Sequence, residues 1–412
     1  MNELQKKIYE RFVRYVSVET TSDGTKTTVP TTPTQLTFGK MLAQEMKELG
    51  ISQVEIDKNG FVFGEIPGNT DGAPAVGFLA HMDTVEDFCG KNIKPVLHPN
   101  YPGGDLVINA DKNMVLSVKN APSLLKCIGH DLVTADGNTL LGGDDKIGIA
   151  IIMTLCEFLL AHPEVKHGPV KVSFTIDEET GTGIQHFDLQ RFGADFAYTV
   201  DGADLGKIDC GNFNADSFTI QIEGKNCHPG AAKDFMANPV RIASDIVSSW
   251  PENKLPETTC GEEGFILFLH MQAQLDSATL KGIIRHHDME QFEQFKKDLQ
   301  TLVAEKQAKY PNGKIHLEIK KQYRNMREVL KAKPQAMQVL EAALKAEKVD
   351  YELMQARGGT DGAQLSLRGL PTPNIFASYE NPHGPYEWLS LQWSETTFNV
   401  LKRIVEEAAK KF

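Results

Sequence analysis

The period of the apolar positions changes several times along this chain, and each change marks an element. Leu4, Ile8, Phe12 and Val16 recur at helical spacing with Lys6, Lys7, Arg11 and Arg14 between them. That pattern predicts an amphipathic first helix over 1–16 and argues against a signal peptide. A second helix is expected from about Pro33 to Leu49, stopped by Gly50, and then a hairpin whose arms, 54–56 and 61–63, turn at Asn59-Gly60. Residues 75–80 (AVGFLA) contain no polar side chain, as befits a strand buried on both faces. Residues 92–141 read as strands and turns, among them a strand at 105–108 and a turn at Asp136-Gly137-Asn138. The stretch 147–160 is apolar nearly all round and predicts a buried helix. Strands at 170–176 and 196–200 follow.

From about Asn212 to Tyr323 the order is strand 216–223, helix 238–250, strand 264–272, strand 278–285, helix 289–309 and strand 315–322. This βαββαβ order is that of the ferredoxin-like split unit. It reads as an α+β domain inserted at 212–323 into a discontinuous α/β domain formed by 1–211 and 324–412. The chain then resumes with a helix near 334–348, a glycine-rich segment at 357–362, a strand at 374–377 and a closing amphipathic helix from Leu391.

Set on this pattern, five polar islands stand out because each borders an apolar run: His81-Met82-Asp83-Thr84, Gly142-Gly143-Asp144-Asp145-Lys146, Asp177-Glu178-Glu179-Thr180, Thr199-Val200-Asp201-Gly202 and Asn381-Pro382-His383-Gly384. Taken singly, a His-x-Asp, an acidic run or an Asp-Gly turn is ordinary surface chemistry. Their shared placement is not, since open α/β sheets bind ligands beyond the carboxyl ends of their strands. Imidazoles and carboxylates without a thiolate suit two divalent ions such as zinc. Asp144, at a helix start, is the expected bridge; His81 and Asp201 would complete one ion, Glu179 and His383 the other. Asp83 is placed to orient His81. Glu178, which diverges from Glu179 at a strand end, is the expected general base, moving a proton from the attacking water to a leaving amine.

Composition narrows the partners. A length of 412 residues allows two or three lobes, and a formal net charge of −12 argues against nucleic acid as a partner, because a phosphate backbone selects basic surfaces. No apolar stretch approaches the roughly 20 residues that span a bilayer, so no membrane anchor is expected. Six scattered cysteines, with no Cys-x-x-Cys pair, fit a cytoplasmic protein with unpaired thiols. The glycine-rich 358–362 lacks the Gly-Lys-Ser/Thr ending of a phosphate loop.

The order of the islands resembles the M20 family of co-catalytic zinc aminopeptidases and deacylases, and nearly the whole chain shares the likeness. Further matching stretches are Asp87-Phe88, Gly90-Lys91-Asn92, Asn212-Phe213-Asn214-Ala215, His228-Pro229-Gly230 and Arg357-Gly358-Gly359-Thr360-Asp361-Gly362-Ala363-Gln364-Leu365-Ser366. Within the family the detail is most similar to tripeptide aminopeptidases. The resemblance implies a zinc-exopeptidase-like α/β/α domain with a mixed central sheet and makes the inserted unit a lid and dimerisation domain. It implies two zinc ions per subunit, with cobalt or manganese as substitutes, a small peptide substrate and a homodimer. It assigns the same ligands, His81, Asp144, Glu179, Asp201 and His383, with Glu178 as base and Asp83 as orienter. It adds His228 as a helper at the oxyanion, and Arg285 and Arg357 as clamps for the peptide carboxylate. Three places depart from the family pattern: His286 after Arg285, Ser378-Tyr379-Glu380-Asn381 near His383, and Ala203-Asp204 after Gly202. Because they border the presumed pocket, a dipeptidase, an N-acyl amino acid deacylase and an inactive peptide-binding relative stand as alternatives.

Overall fold

The computed structural model describes residues 1–411. Its chain divides into two compact units, one of Met1–Cys210, Arg327–Met354 and the residues from Thr360 onward, the other of Gly211–Met326 with Gln355–Gly359.

The first unit is built on an eight-stranded mixed sheet. Its strands lie in the order Ser52–Ile56, Val62–Ile66, Val170–Thr175, Val76–His81, Phe196–Gly202, Asn374–Phe376, Lys207–Asn212 and Glu352–Ala356. The strand of 75–80 is central, as its composition requires: every residue of Val76–His81 is buried, and both its neighbours run parallel to it. On one face Tyr198 donates its hydroxyl to the Ala336 carbonyl of helix Gln335–Ala346, 2.7 Å away. On the other face a Cβ at Gly77 would meet the ring of Phe192, so this helical turn, Leu189–Phe192, rests directly on the sheet. The α/β/α expectation is met.

The helix expected at 147–160 spans Gly143–Ala161, and its first residues Asp144 and Asp145 are non-helical. It abuts the strand that ends in Asp201 because Gly148 has no side chain: a Cβ there would collide with the Val200 carbonyl. The Asn59-Gly60 hairpin differs in detail from a two-residue turn. Ile56 pairs with Val62, and Asp57 closes the longer loop by accepting N–H bonds from Asn59, Gly60 and Phe61 at 2.8–2.9 Å.

A smaller sheet, in the order Tyr379–Glu380, Trp388–Ser390, Leu132–Thr134, Val96–His98, holds the loop that carries His383. Trp388 and Leu389 are fully buried, so both ends of that loop are fixed.

The second unit has strands Asn214–Glu223, Phe265–Ala273, Ser277–His286 and Lys314–Tyr323, with helices Pro239–Ser249 and Met289–Lys309. In space the second strand of this unit is followed by the third, first and fourth, which is the ferredoxin-like arrangement read from the sequence. Residues 355–359, placed by sequence in the discontinuous domain, group with this unit, where Arg357 donates to the carbonyls of Gly261 and Glu263 at 2.7 and 3.2 Å.

Candidate active site

Sheet register brings the islands together. Leu79 pairs with Thr199, so two residues on His81 stands level with Asp201; His81 pairs with Thr175, so Asp177, Glu178 and Glu179 emerge just beyond it. His81 Nε2 lies 2.8 Å from Asp144 Oδ1 and 3.5 Å from Asp201 Oδ1. The other Asp144 oxygen, Oδ2, lies 3.2 Å from His383 Nε2, which also lies 3.2 Å from Glu179 Oε2. Two donor triads result, His81-Asp144-Asp201 and Asp144-Glu179-His383, with the ligand atoms of each within 4.8 Å of one another. Asp144 belongs to both.

The three acidic residues of 177–179 do three different things. Asp177 is buried and anchors the strand end, accepting from Thr31 N–H, from the Thr31 hydroxyl at 2.6 Å and from Gln35 Nε2 at 2.6 Å. Glu179 turns to His383. Glu178 belongs to neither triad.

Asp83 meets His81 through both its main chain and its side chain. His81 Nδ1 is 3.0 Å from the Asp83 backbone carbonyl, whereas the Asp83 carboxylate is 3.5 Å away. That carboxylate also accepts the backbone N–H groups of Glu178 and Glu179, at 3.1 and 3.2 Å. One residue therefore faces the imidazole with its carbonyl and carboxylate, and the same carboxylate fixes the Glu178-Glu179 backbone.

Electrostatics follow from crowding acids in a buried space. Burial lowers the pKa of His81, but Asp201, Asp144 and Asp83 outweigh it and hold the imidazole well above its usual value. Hydrogen bonds to Asp144 and Glu179 raise His383 to about 11. Burial raises Asp144, yet His383 and His81 bring it below the ordinary carboxylate range. Asp201 is pushed up to about 7 by burial, with Asp144 adding to the effect. Burial, then Asp201, raises Glu178 well above its usual value.

This donor set fits a pair of divalent ions. The ligands are nitrogen and oxygen only, one carboxylate is shared, and buried Glu179 Oε1 has no hydrogen-bond partner. Such an orphaned acceptor is costly unless a cation answers it.

Sequence reasoning missed three buried groups at this site. Tyr379 donates its hydroxyl to the Asp201 carbonyl at 2.9 Å and lies 3.1 Å from Oδ1. Asp145 accepts the His81 N–H at 3.2 Å. Asp361 is 4% exposed, its Oδ2 has no partner, and burial lifts its carboxyl to about 7. The only sequence signs were that Asp145 lies inside an island, Asp361 inside the glycine-rich block and Tyr379 inside the 378–381 departure from the family pattern.

The three residues carried over for substrate all lie in the second unit. His228 Nδ1 accepts the Gly230 N–H at 3.1 Å and caps a short turn. Arg285 donates to the Asp216 and Ile284 carbonyls and stacks over Tyr323. Arg357 holds the 259–263 loop and lies over Phe213 and Phe265. Both guanidiniums are thus engaged by their own unit.

Residues 210–311 match the peptidase dimerisation domain of the M20 family. The chain is 45% identical to peptidase T of a Geobacillus species, over 98% of each chain. It is 42% identical to peptidase T of Clostridium botulinum, over 98% of this chain and all of the relative. Its fold matches that of the aminopeptidase PepT from Bacillus cereus (TM-score 0.77, 20% identity, 98% of this chain and 99% of the other). It also matches a dinuclear metal-binding M20 peptidase from Bacillus subtilis (TM-score 0.66, 14% identity, 99% of each). At 42–45% identity across nearly its whole length, the chain belongs to the peptidase T family.

Proposed function

We propose that this protein is a tripeptide aminopeptidase that hydrolyses the amino-terminal peptide bond with two divalent ions, zinc in the first instance. The observation that carries the reading is the pair of donor triads sharing Asp144, with Glu178 beside them and outside both. The peptidase T relatives supply the substrate class.

In this reading His81, Asp144 and Asp201 hold one ion, and Asp144, Glu179 and His383 the other. When bound, the pair would polarise the scissile carbonyl and make water a stronger nucleophile at neutral pH. The chain's own residues do the rest. Glu178 takes the proton of the attacking water and hands it to the departing amine. A base has to be proton-hungry for the first task and acidic enough for the second, and burial together with Asp201 raises Glu178 in that direction. Asp83 fixes the backbone from which Glu178 projects, so the base reaches the same place in each turnover. Asp177 and Tyr379 hold the Glu178 strand end and Asp201 from behind.

We further propose a cytoplasmic homodimer assembled through the second unit. The match to a dimerisation domain supports the dimer. No helix among the described residues is long and apolar enough to cross a membrane.

The deciding experiment offers metal-replete protein a free tripeptide, its N-acetylated form, a dipeptide and an N-acyl amino acid. Release of the first residue from the free tripeptide alone is expected. Glu178→Ala should bind metal normally while kcat falls about 10²–10⁴-fold. Equal cleavage of the acetylated peptide, or full activity of Glu178→Ala, would overturn the proposal.

A further inference from the structure

Asp144 is the residue on which both halves of the site depend, yet nothing local holds it. Its loop has Gly142 at φ 73° in the cap position with no side-chain cap, and Asp144 itself is non-helical. The backbone N–H groups of this turn are answered from far away in the chain. Glu387, 1% exposed, accepts the N–H groups of Leu141 and Gly142 on Oε2, both at 2.8 Å, and that of Asp144 on Oε1 at 2.9 Å. Three N–H donors converging on one buried carboxylate form a strong, directional grip.

Glu387 lies four residues after His383 and directly before the buried strand Trp388–Ser390. The same loop therefore reaches Asp144 at both ends: Glu387 binds its backbone, and His383 meets its Oδ2 at 3.2 Å. The fit is tight. A Cβ on Gly143 would sit 2.9 Å from Glu387 Oε1 and 3.0 Å from the Tyr379 Cβ, so glycine is needed there for the carboxylate to approach.

We propose that Glu387 is a positioning residue: its clasp on the Leu141–Asp144 backbone sets the bridging carboxylate and fastens the His383 side of the centre to it. The inference rests on the two-ion reading above. It also explains how His383, which sits on a loop, can still present a donor at a defined place. Loss of the clasp should weaken the ion on the His383 side first, because both contacts to Asp144 run through this loop.

The test is Glu387→Gln, which keeps shape but turns one acceptor oxygen into an N–H donor facing backbone N–H groups. Gly143→Ala attacks the same contact from the opposite side and serves if the first variant does not fold. For each soluble, natively folded variant, zinc stoichiometry and affinity are measured by competition with a chromogenic chelator, and kcat and KM are determined separately. The expected result is one ion held as in the wild type and one weakened about 10–100-fold, with kcat lowered, KM within about twofold and kcat partly restored by excess zinc. Glu387→Asp should recover part of the affinity lost in Glu387→Gln. Wild-type zinc affinity in the variants, with only thermal stability reduced, would overturn this inference and leave the function standing. A wild-type protein that binds fewer than two ions would instead overturn the two-ion reading itself.

Discussion

The two halves of the centre that Asp144 joins are built from different material. His81 and Asp201 sit at the ends of neighbouring parallel strands; His81 is 2% exposed, and its second nitrogen is held by the Asp83 carbonyl. Glu179 and His383 sit on loops, and His383 has φ 66° with a side chain 44% exposed. Strand ends supply donor positions as a by-product of sheet register, and their burial makes the positions stiff. Loops supply donors only where tethers hold them. The two ions should therefore be held unequally, tightly on the sheet side and loosely on the loop side.

Deleting each imidazole in turn breaks the comparison most forcefully. In metal-free protein, His81→Ala leaves Asp144, Asp201 and Asp145 buried without their cation, and stability should fall by about 3–5 kcal/mol. His383→Ala removes a half-exposed partner and should cost under about 1 kcal/mol. Urea unfolding of the two apo variants beside the wild type decides the point. Equal losses would mean that the halves are equivalent.

That asymmetry bears on what the sequence could reveal. The sheet half was legible because short apolar runs end at His81 and Asp201, and a strand end is a definite place; Glu178-Glu179, just past the end of another such run, was legible for the same reason although Glu179 serves the loop half. The βαββαβ unit was legible because its strands and helices each carry a clear alternating or helical period between 214 and 323. What the sequence could not show is the support behind the donors. Glu387 and Gly142 are 245 residues apart in the chain, and Tyr379 and Asp201 are 178 apart; such bonds leave no period. That the Asp83 carbonyl lies nearer His81 than the Asp83 carboxylate does has no sign in the sequence, because a residue type does not say which of its oxygens will be nearer. Arg285 and Arg357 match the family's pattern as clamps, yet in the structure their guanidiniums bind carbonyls of their own unit.

Stepwise metal removal sharpens the comparison further. Chelator titration of the zinc-loaded protein should be biphasic, with the loop-side ion lost first and activity lost with it, while the second ion persists to about 10-fold or more higher chelator. His383→Ala should abolish the first phase only. A single phase releasing both ions together would contradict unequal holding.

The smallest effect is on pH. In the metal-free protein His383 has its pKa raised to about 11 and His81 well above its usual value. Their contribution to stability is fully present below the unfolded value of about 6.5 and is lost as pH rises through the folded values. Asp201, raised to about 7, acts in the same direction, since folding favours its neutral form. Apo stability should thus decline from about pH 5 towards pH 10, and less steeply in His383→Ala than in the wild type. Zinc should flatten the curve. A stability that rose over this range without metal would refute the assigned charge pattern.

The most direct test of the account is anomalous diffraction at the zinc edge from crystals of the loaded protein. Two peaks about 3.5–4 Å apart are predicted on either side of the Asp144 carboxylate, with the weaker one beside Glu179 and His383. One peak alone, or a second peak not touching Asp144, would contradict it.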